Sequence, residues 1–394
     1  MPIKKVKEDI YWVGTIDWDR RLFDELIPLP DGTSYNSYLI KNQDEALLID
    51  TVDPSKKDEF FQNIKEAKIK KIKYIIAQHA EQDHSGCIPD VLREYPDCKI
   101  ITNQKCKELL TDELLLKQEN FYEIKDEEIF HFGDKTFQFL FSPWVHWPET
   151  FLTYLPETKI LFTCDFFGSH LATSELWADS KKTYLYRAAK RYYAEIMMPF
   201  RQVIKKHLEK LKGLSIDIIA PSHGPIYRNP EYILSAYQEW VSDQVKEEVV
   251  IPYISMHGCT QKMVLYLMEQ LMKKNIKVTP YHLIYSDVGE LAMALVDAAT
   301  IILASPTVLT GPHPQIVYAA YLCKILKPKA RFAGIIGSFG WGSKMEQDLL
   351  QMLSNLNVEL LPSVIVKSYP TKDDFLKLGQ LAEKIASSHA KLKE

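Results

Sequence analysis

The stretch Lys73-Tyr74-Ile75-Ile76-Ala77-Gln78-His79-Ala80-Glu81-Gln82-Asp83-His84 decides how the first half of the chain is read. Its apolar start reads as a strand, and its last six residues hold two imidazoles and two carboxylates. Taking four ionisable groups out of water side by side is costly unless a cation compensates them. A strand that ends in such a cluster therefore reads as the floor of a metal site.

Three more candidates stand at strand ends. His146 follows the strand expected over 136–141, Asp165 the one over 160–163, and His223 the one over 216–220. Taken alone, His146 or His223 reads as an ordinary core or loop histidine; the 79–84 cluster changes that. Loops at one edge of a sheet can converge on one point. His79, Glu81, Asp83, His84, His146, Asp165 and His223 together supply four imidazoles and three carboxylates. That set exceeds one tetrahedral site and suits two ions about 3.5–4 Å apart, which a carboxylate such as Asp165 can bridge. Against two divalent ions, three carboxylates leave one positive charge over, which a bridging hydroxide can neutralise. Oxygen ligands mixed with imidazole tilt the choice toward iron or manganese, although zinc also accepts carboxylate. His131, His207, His282, His313 and His389 read as structural. His170 reads either as a donor to a ligand or as a loop residue.

A length of 394 residues exceeds one ordinary core, so two domains are expected. Up to residue 248, short strands (35–40, 46–50, a strand-rich 120–144, and a hairpin about Pro156-Glu157-Thr158-Lys159) alternate with few helices. Those helices are expected over 54–68 and over 183–212, the second open to a break at Pro199. From residue 249 the rhythm becomes five strand–helix units, with strands over 251–255, 278–285, 300–304, 331–336 and 359–366. Such alternation means a five-stranded parallel sheet, doubly wound, with helices on both faces. The expected domains are thus 1–248 and 249–394. The composition, 46% hydrophobic and 25% charged, is that of a globular enzyme. A net charge of −4 gives no reason to expect nucleic acid or an acidic membrane as partner. No apolar run approaches the ~20 residues of a membrane span, and no apolar signal core opens the chain. The cytoplasm is the expected location. The six cysteines form no Cys-x-x-Cys pair, which argues against a zinc ribbon, an iron–sulfur site or a fused rubredoxin module.

In the second domain, Ser255-Met256-His257-Gly258-Cys259-Thr260 joins the first strand to its helix. Hydroxyls, a glycine and a helix N-terminus suit a monophosphate, and the lysine of a nucleotide-hydrolysing loop is missing. Ser305-Pro306-Thr307-Val308-Leu309 is expected as the loop after the third strand, and Gly337-Ser338-Phe339-Gly340-Trp341-Gly342 as the loop after the fourth. Singly, each could be a plain turn. Together they lie where ligands bind in doubly wound sheets, and Trp341 between glycines suits stacking on a flat ring.

These residues together resemble the flavodiiron proteins, or A-type flavoproteins. That family joins a metallo-β-lactamase-like αββα sandwich to a flavodoxin-like domain. The resemblance covers essentially the whole chain, and its most specific element is His79-x-Glu81-x-Asp83-His84 with His146, Asp165 and His223. It implies that His79, Glu81 and His146 hold one iron, that Asp83, His84 and His223 hold the other, and that Asp165 and an oxo or hydroxo group bridge them. In some members the position matching His84 is not a direct ligand. It implies FMN in the three loops, with His257 and Cys259 standing where an aromatic and a polar residue are expected, a departure that bears on the flavin potential. It implies reduction of O2 to water or of NO to N2O, with a small external donor such as rubredoxin and a head-to-tail homodimer or dimer of dimers. Two electrons from a diferrous centre and two from reduced flavin suffice for O2. Trp147, Tyr193 and His170 are the expected pocket residues. The competing reading is a binuclear zinc hydrolase of the metallo-β-lactamase type with a flavodoxin-like domain. Glu81 argues against it, because the hydrolase pattern His-x-His-x-Asp-His has nitrogen there.

Overall fold

The computed structural model describes residues 3–354 and 356–393. The chain divides into two compact units, Met1–Val241 and Ser242–Glu394. The second unit's first strand begins at Lys246, ahead of residue 249.

In the first unit two sheets lie face to face. One has seven strands, in the order Lys4–Lys7, Ile10–Trp12, Tyr38–Asn42, Glu45–Ile49, Lys71–Ile76, Lys99–Asn103 and Phe121–Ile124. The other has five: Ile129–Phe132, Lys135–Phe141, Phe151–Leu155, Ile160–Cys164 and Ile218–Pro221. Side chains alternate across a strand, and the sequence uses both faces. Ile40, Leu47, Ile49, Ile76 and Ile101 meet Phe137, Phe139, Phe151 and Phe162 between the sheets. The intervening Leu39, Leu48, Ile75 and Ile100 pack outward on Phe60 and Ile64 of the helix Lys57–Glu66, and on Val91 and Leu110. Each such side chain, fully buried, contributes about 1.5–3 kcal/mol. With the helices Thr183–Tyr192, Arg201–Leu211 and Pro230–Val241 the layers form an αββα sandwich.

The pairing directs the strand ends. Glu45–Ile49 runs parallel to Lys71–Ile76, and Ile160–Cys164 parallel to Ile218–Pro221. Asp50 and the run from Gln78 therefore leave one sheet at the same edge, as Asp165 and Ser222-His223 leave the other. The stretch expected as one helix over 183–212 is broken. A π-helical turn, Tyr193–Met197, and a 3-10 turn, Met198–Phe200, separate its two α-helices. Pro199, which has no N–H to donate, sits at the break.

The second unit is a parallel sheet in the order Lys277–His282, Lys246–Tyr253, Ala298–Val308, Phe332–Phe339, followed by Glu359–Leu360 and Val364–Lys367. This is the flavodoxin-like order 2-1-3-4-5. Val249 and Ile251 pack on Met263, Val264 and Leu267 of the helix Cys259–Met272 and on Leu378 and Ile385 of Lys372–Ala390. Two expected loops are corrected. Ser305 to Val308 continue the third strand, and Gly337 to Phe339 continue the fourth. Pro306 is tolerated because the neighbouring strand Lys246–Tyr253 has already ended opposite Ala304, so one side of the third strand is free of ladder partners there. The fifth strand is split by Pro362. Among the described residues no helix is long and apolar enough to cross a membrane.

Candidate functional site

All seven ligand candidates meet at one edge of the sandwich. His79 and Glu81 lie two residues apart ahead of a short helix, and their side chains converge, with Nε2 and Oε2 3.1 Å apart. The short helix Gln82–Ser85 then turns the chain, so Asp83 and His84 face elsewhere. Glu81 stands at that helix's N-cap, but its side chain caps nothing and is free for the site. Gly224 takes the chain past His223 at φ +76, with the Ser169 side chain where a Cβ would fall. A residue other than glycine there would displace the ligand.

The side chains form two groups. In the first, His79 Nε2 lies 3.1 Å from Glu81 Oε2, and His146 Nε2 lies 3.4 Å from the same oxygen. In the second, His84 Nε2 lies 3.3 Å from Asp83 Oδ1 and His223 Nε2 3.2 Å from Asp83 Oδ2. Asp165 serves both. Its Oδ2 is 3.5 Å from His79 Nε2 and 3.2 Å from His146 Nε2, while its Oδ1 is 3.1 Å from His84 Nε2 and 3.2 Å from His223 Nε2. Ligand atoms held about 2.1 Å from one ion stand roughly 3.0–3.4 Å apart, which is this spacing. Both oxygens of Asp83, Oδ1 of Asp165 and Nε2 of His84 are buried without a hydrogen-bond partner among the described residues. Buried polar atoms are rarely left so, and cations would supply the missing partners. The donor set thus fits two metal ions, with His84 among the inward-facing groups.

The electrostatics agree. Burial pulls the His223 imidazole down, but Asp165 and Asp83 outweigh it and push the group up to about 10. His146 is likewise raised to about 9, burial being outweighed by Asp165 and Glu81. Glu81 and Asp165 are driven below the usual carboxylate range by the surrounding imidazoles, against the effect of burial. Such mutual shifts mark groups that need each other or a shared cation.

The expected pocket residues divide. The Trp147 ring stands perpendicular to His79 with centroids 5.0 Å apart. His170 packs 5.0 Å from His223, and its Nδ1 lies 2.9 Å from Thr33 Oγ1. Burial, then the His223 charge, hold it far below the usual histidine range, so it is neutral. Tyr193 turns away, its hydroxyl donating to the Trp240 carbonyl at 3.3 Å. The adjacent Tyr192 takes the place beside the site, 4.8 Å from His170, with its hydroxyl raised by burial and by Asp165. Successive helical residues diverge by about 100°, so only one of the pair can face inward.

Two further buried carboxylates were not legible in the sequence. Glu149 Oε1 accepts from His79 Nδ1 at 2.7 Å and from the Ala80 N–H at 3.1 Å. Asp50 accepts from the Gln78 N–H at 2.8 Å, and burial raises it to about 6. Asp50 also falls near His84 and Cys164. Burial raises the Cys164 thiol well above its ordinary range, and Asp50, through the Gln78 N–H, braces the ligand loop.

In the second unit Ser255, Met256, His257, Cys259, Thr260, Pro306, Thr307, Ser338, Phe339, Gly340 and Ser368 line one cavity of about 240 Å³. Gly258 precedes the helix Cys259–Met272 at φ +81, with no heavy atom within 4 Å of a would-be Cβ. The first-turn N–H groups of that helix and the open glycine form a cradle that fits a phosphate. Ser305 is not in the lining, because its hydroxyl is spent on the Pro306 carbonyl and the His313 N–H. Nor are Val308, Leu309, Trp341 and Gly342, of which Leu309 and Trp341 stand 88% and 79% exposed at the rim. Ser368, on the turn after the fifth strand, is the addition. It shares the carboxyl edge with the other loops, and that position was its signal.

Comparison with known proteins agrees with this geometry. The ODP family beta lactamase profile matches residues 33–224. The nitric oxide reductase of Moorella thermoacetica is 32% identical over 97% of this chain and 98% of its own. The chain belongs to the flavodiiron protein family. Among solved structures, the rubredoxin oxygen:oxidoreductase of Desulfovibrio gigas superposes with a TM-score of 0.94 at 29% identity, covering 99% of this chain and 98% of its own. The flavodiiron protein of Giardia intestinalis superposes with a TM-score of 0.89 at 26% identity, covering 98% of each chain.

Proposed function

We propose that this flavodiiron protein is an oxidoreductase that reduces O2 to water, NO to N2O, or both, using FMN and a pair of irons. The observation that carries the reading is Asp165, whose two oxygens each face one half of a largely buried seven-ligand cluster. When bound, the irons and the flavin supply the gas-binding site and the electrons. His79, Glu81 and His146 would hold one iron and Asp83, His84 and His223 the other, with Asp165 offering one oxygen to each group. The protein's further task is to keep that site dry and fixed. His79, Asp83, His84, Asp165 and His223 are almost wholly buried, and Trp147 walls the His79 side. Tyr192 is the hydroxyl placed to donate a proton near Asp165. The cavity around Ser255, Thr260 and Ser338 would hold FMN, and the open Gly258 with the helix N-terminus behind it would suit its phosphate.

The zinc-hydrolase alternative is less supported, since Glu81 puts oxygen where those enzymes use nitrogen and the relatives are named as reductases and oxidoreductases. A small external donor of the rubredoxin type, a cytoplasmic location and a head-to-tail homodimer or dimer of dimers complete the proposal. The rubredoxin oxygen:oxidoreductase of Desulfovibrio gigas, similar in fold over the whole chain, supports a donor of that type. Steady-state consumption of O2 and of NO with one common donor, beside iron and FMN content, tests it. Turnover of at least one gas with two irons and one FMN per chain is expected. A zinc-only protein that consumes neither gas would overturn it.

A further inference from the structure

An imidazole that gives Nε2 to a metal must place its Nδ1 proton elsewhere, and the partner tunes the ligand. His79 and His223, one from each half, differ in that partner, while the Asp50 carboxylate near His84 accepts from the Gln78 N–H and the Ser222 hydroxyl. His223 Nδ1 donates to the backbone carbonyl of Ser34 at 2.7 Å, a neutral acceptor. His79 Nδ1 donates to the Glu149 carboxylate at 2.7 Å, with both side chains fully buried. Glu149 is itself fixed. The Ala80 N–H donates to the same oxygen at 3.1 Å, and Asn103 Nδ2 donates to the Glu149 backbone carbonyl at 2.5 Å. The other carboxylate oxygen has no hydrogen-bond partner among the described residues, so the negative charge acts chiefly through His79.

We propose that Glu149 is a positioning residue that makes the His79 half of the centre the tighter-binding and lower-potential half. The inference rests on the diiron reading above. A carboxylate behind an imidazole draws on the Nδ1 proton and enriches Nε2, which strengthens the bond to a metal and favours its more highly charged state. The carbonyl behind His223 does this less. Two irons that share Asp165 are therefore unequal, and the ferric ion of a mixed-valent pair belongs beside His79.

Glu149→Gln tests the charge alone. Its amide oxygen can still accept from His79 and Ala80, and the Asn103 contact is to backbone. Anaerobic titration of metal-free protein with ferrous ion should show the tighter site weakened roughly 10–100-fold, with two ions still bound at saturation. The potential at which the mixed-valent electron-paramagnetic signal appears should rise, and Glu149→Asp should restore part of both effects. Unchanged affinity and potential in Glu149→Gln would overturn the inference while leaving the diiron reading standing. Wild-type protein that saturates below two irons would overturn both. A measurement on wild type guards against a variant that fails to fold. In zinc-loaded protein one imidazole N–H proton, assigned to His79, should resonate far downfield of the His223 one, and equal positions would refute the asymmetry.

Discussion

Replacing Asp165 with asparagine should cost the protein one of its two irons. The carboxylate presents Oδ1 to His84 and His223 at 3.1 and 3.2 Å, and Oδ2 to His79 and His146 at 3.5 and 3.2 Å. Asparagine keeps the shape but turns one of those oxygens into an NH2 group. That group has no lone pair for a metal and points hydrogen at the imidazole nitrogens. Closed four-ligand zinc sites bind with about 10–16 kcal/mol, or about 2.5–4 kcal/mol per ligand. Loss of one ligand then weakens that ion by roughly 100–1000-fold. The other half keeps an oxygen and loses only charge. The assay is iron and FMN per chain after anaerobic reconstitution and desalting. The expected result is about one iron, unchanged FMN in the separate cavity, and loss of O2 and NO turnover. Two irons retained at wild-type affinity, with turnover intact, would show that Asp165 does not bridge.

Gly258→Val forces a β-branched residue to φ +81, a strain of about 1–2 kcal/mol, so FMN affinity measured by fluorescence quenching should fall about 5–30-fold with iron content unchanged; unaltered affinity would remove Gly258 from the phosphate cradle. Phe162→Ala empties a fully buried position between the two sheets, where the ring lies 4.9 Å from Tyr38, and should lower stability in denaturant by about 3–5 kcal/mol; a loss under about 1 kcal/mol would contradict the sandwich core. His389 is buried with Nε2 2.7 Å from Thr300 Oγ1, and burial holds it below its ordinary value despite Glu247. Its stabilisation is therefore complete above the unfolded value of about 6.5 and is lost as pH falls through that value toward the folded one. His389→Gln should flatten the fall in the denaturation midpoint of wild type below about pH 6.5, and parallel curves would show that His389 has no part in it.

The site was legible in the sequence where chemistry was dense and local. His79 to His84 need no partner to look like a metal site, and the strands before His146, Asp165 and His223 placed those residues at loop ends. Glu149 and Asp50 carried no comparable signal. Each is a lone carboxylate far along the chain from what it braces, and only the pairing of sheets brings Glu149 to His79. Tyr192 and Tyr193 could not be told apart, because an irregular π-helical turn starts at Tyr193 and the side facing inward depends on helical phase. In the second unit the alternation of strand and helix gave the doubly wound sheet, but prolines misled at its ends. Pro306 looks like a strand breaker, yet it sits where the third strand has lost a neighbour. Pro362 does break the fifth strand, as its missing N–H dictates.

The electron count per O2 is the most direct test of the central claim. Fully reduced protein of known FMN and iron content is mixed anaerobically with limiting O2, and flavin oxidation and peroxide are followed together. Four electrons withdrawn per O2 with no peroxide released is the expected result. Two electrons and one peroxide per O2, or flavin that stays reduced with O2 and with NO alike, would contradict it.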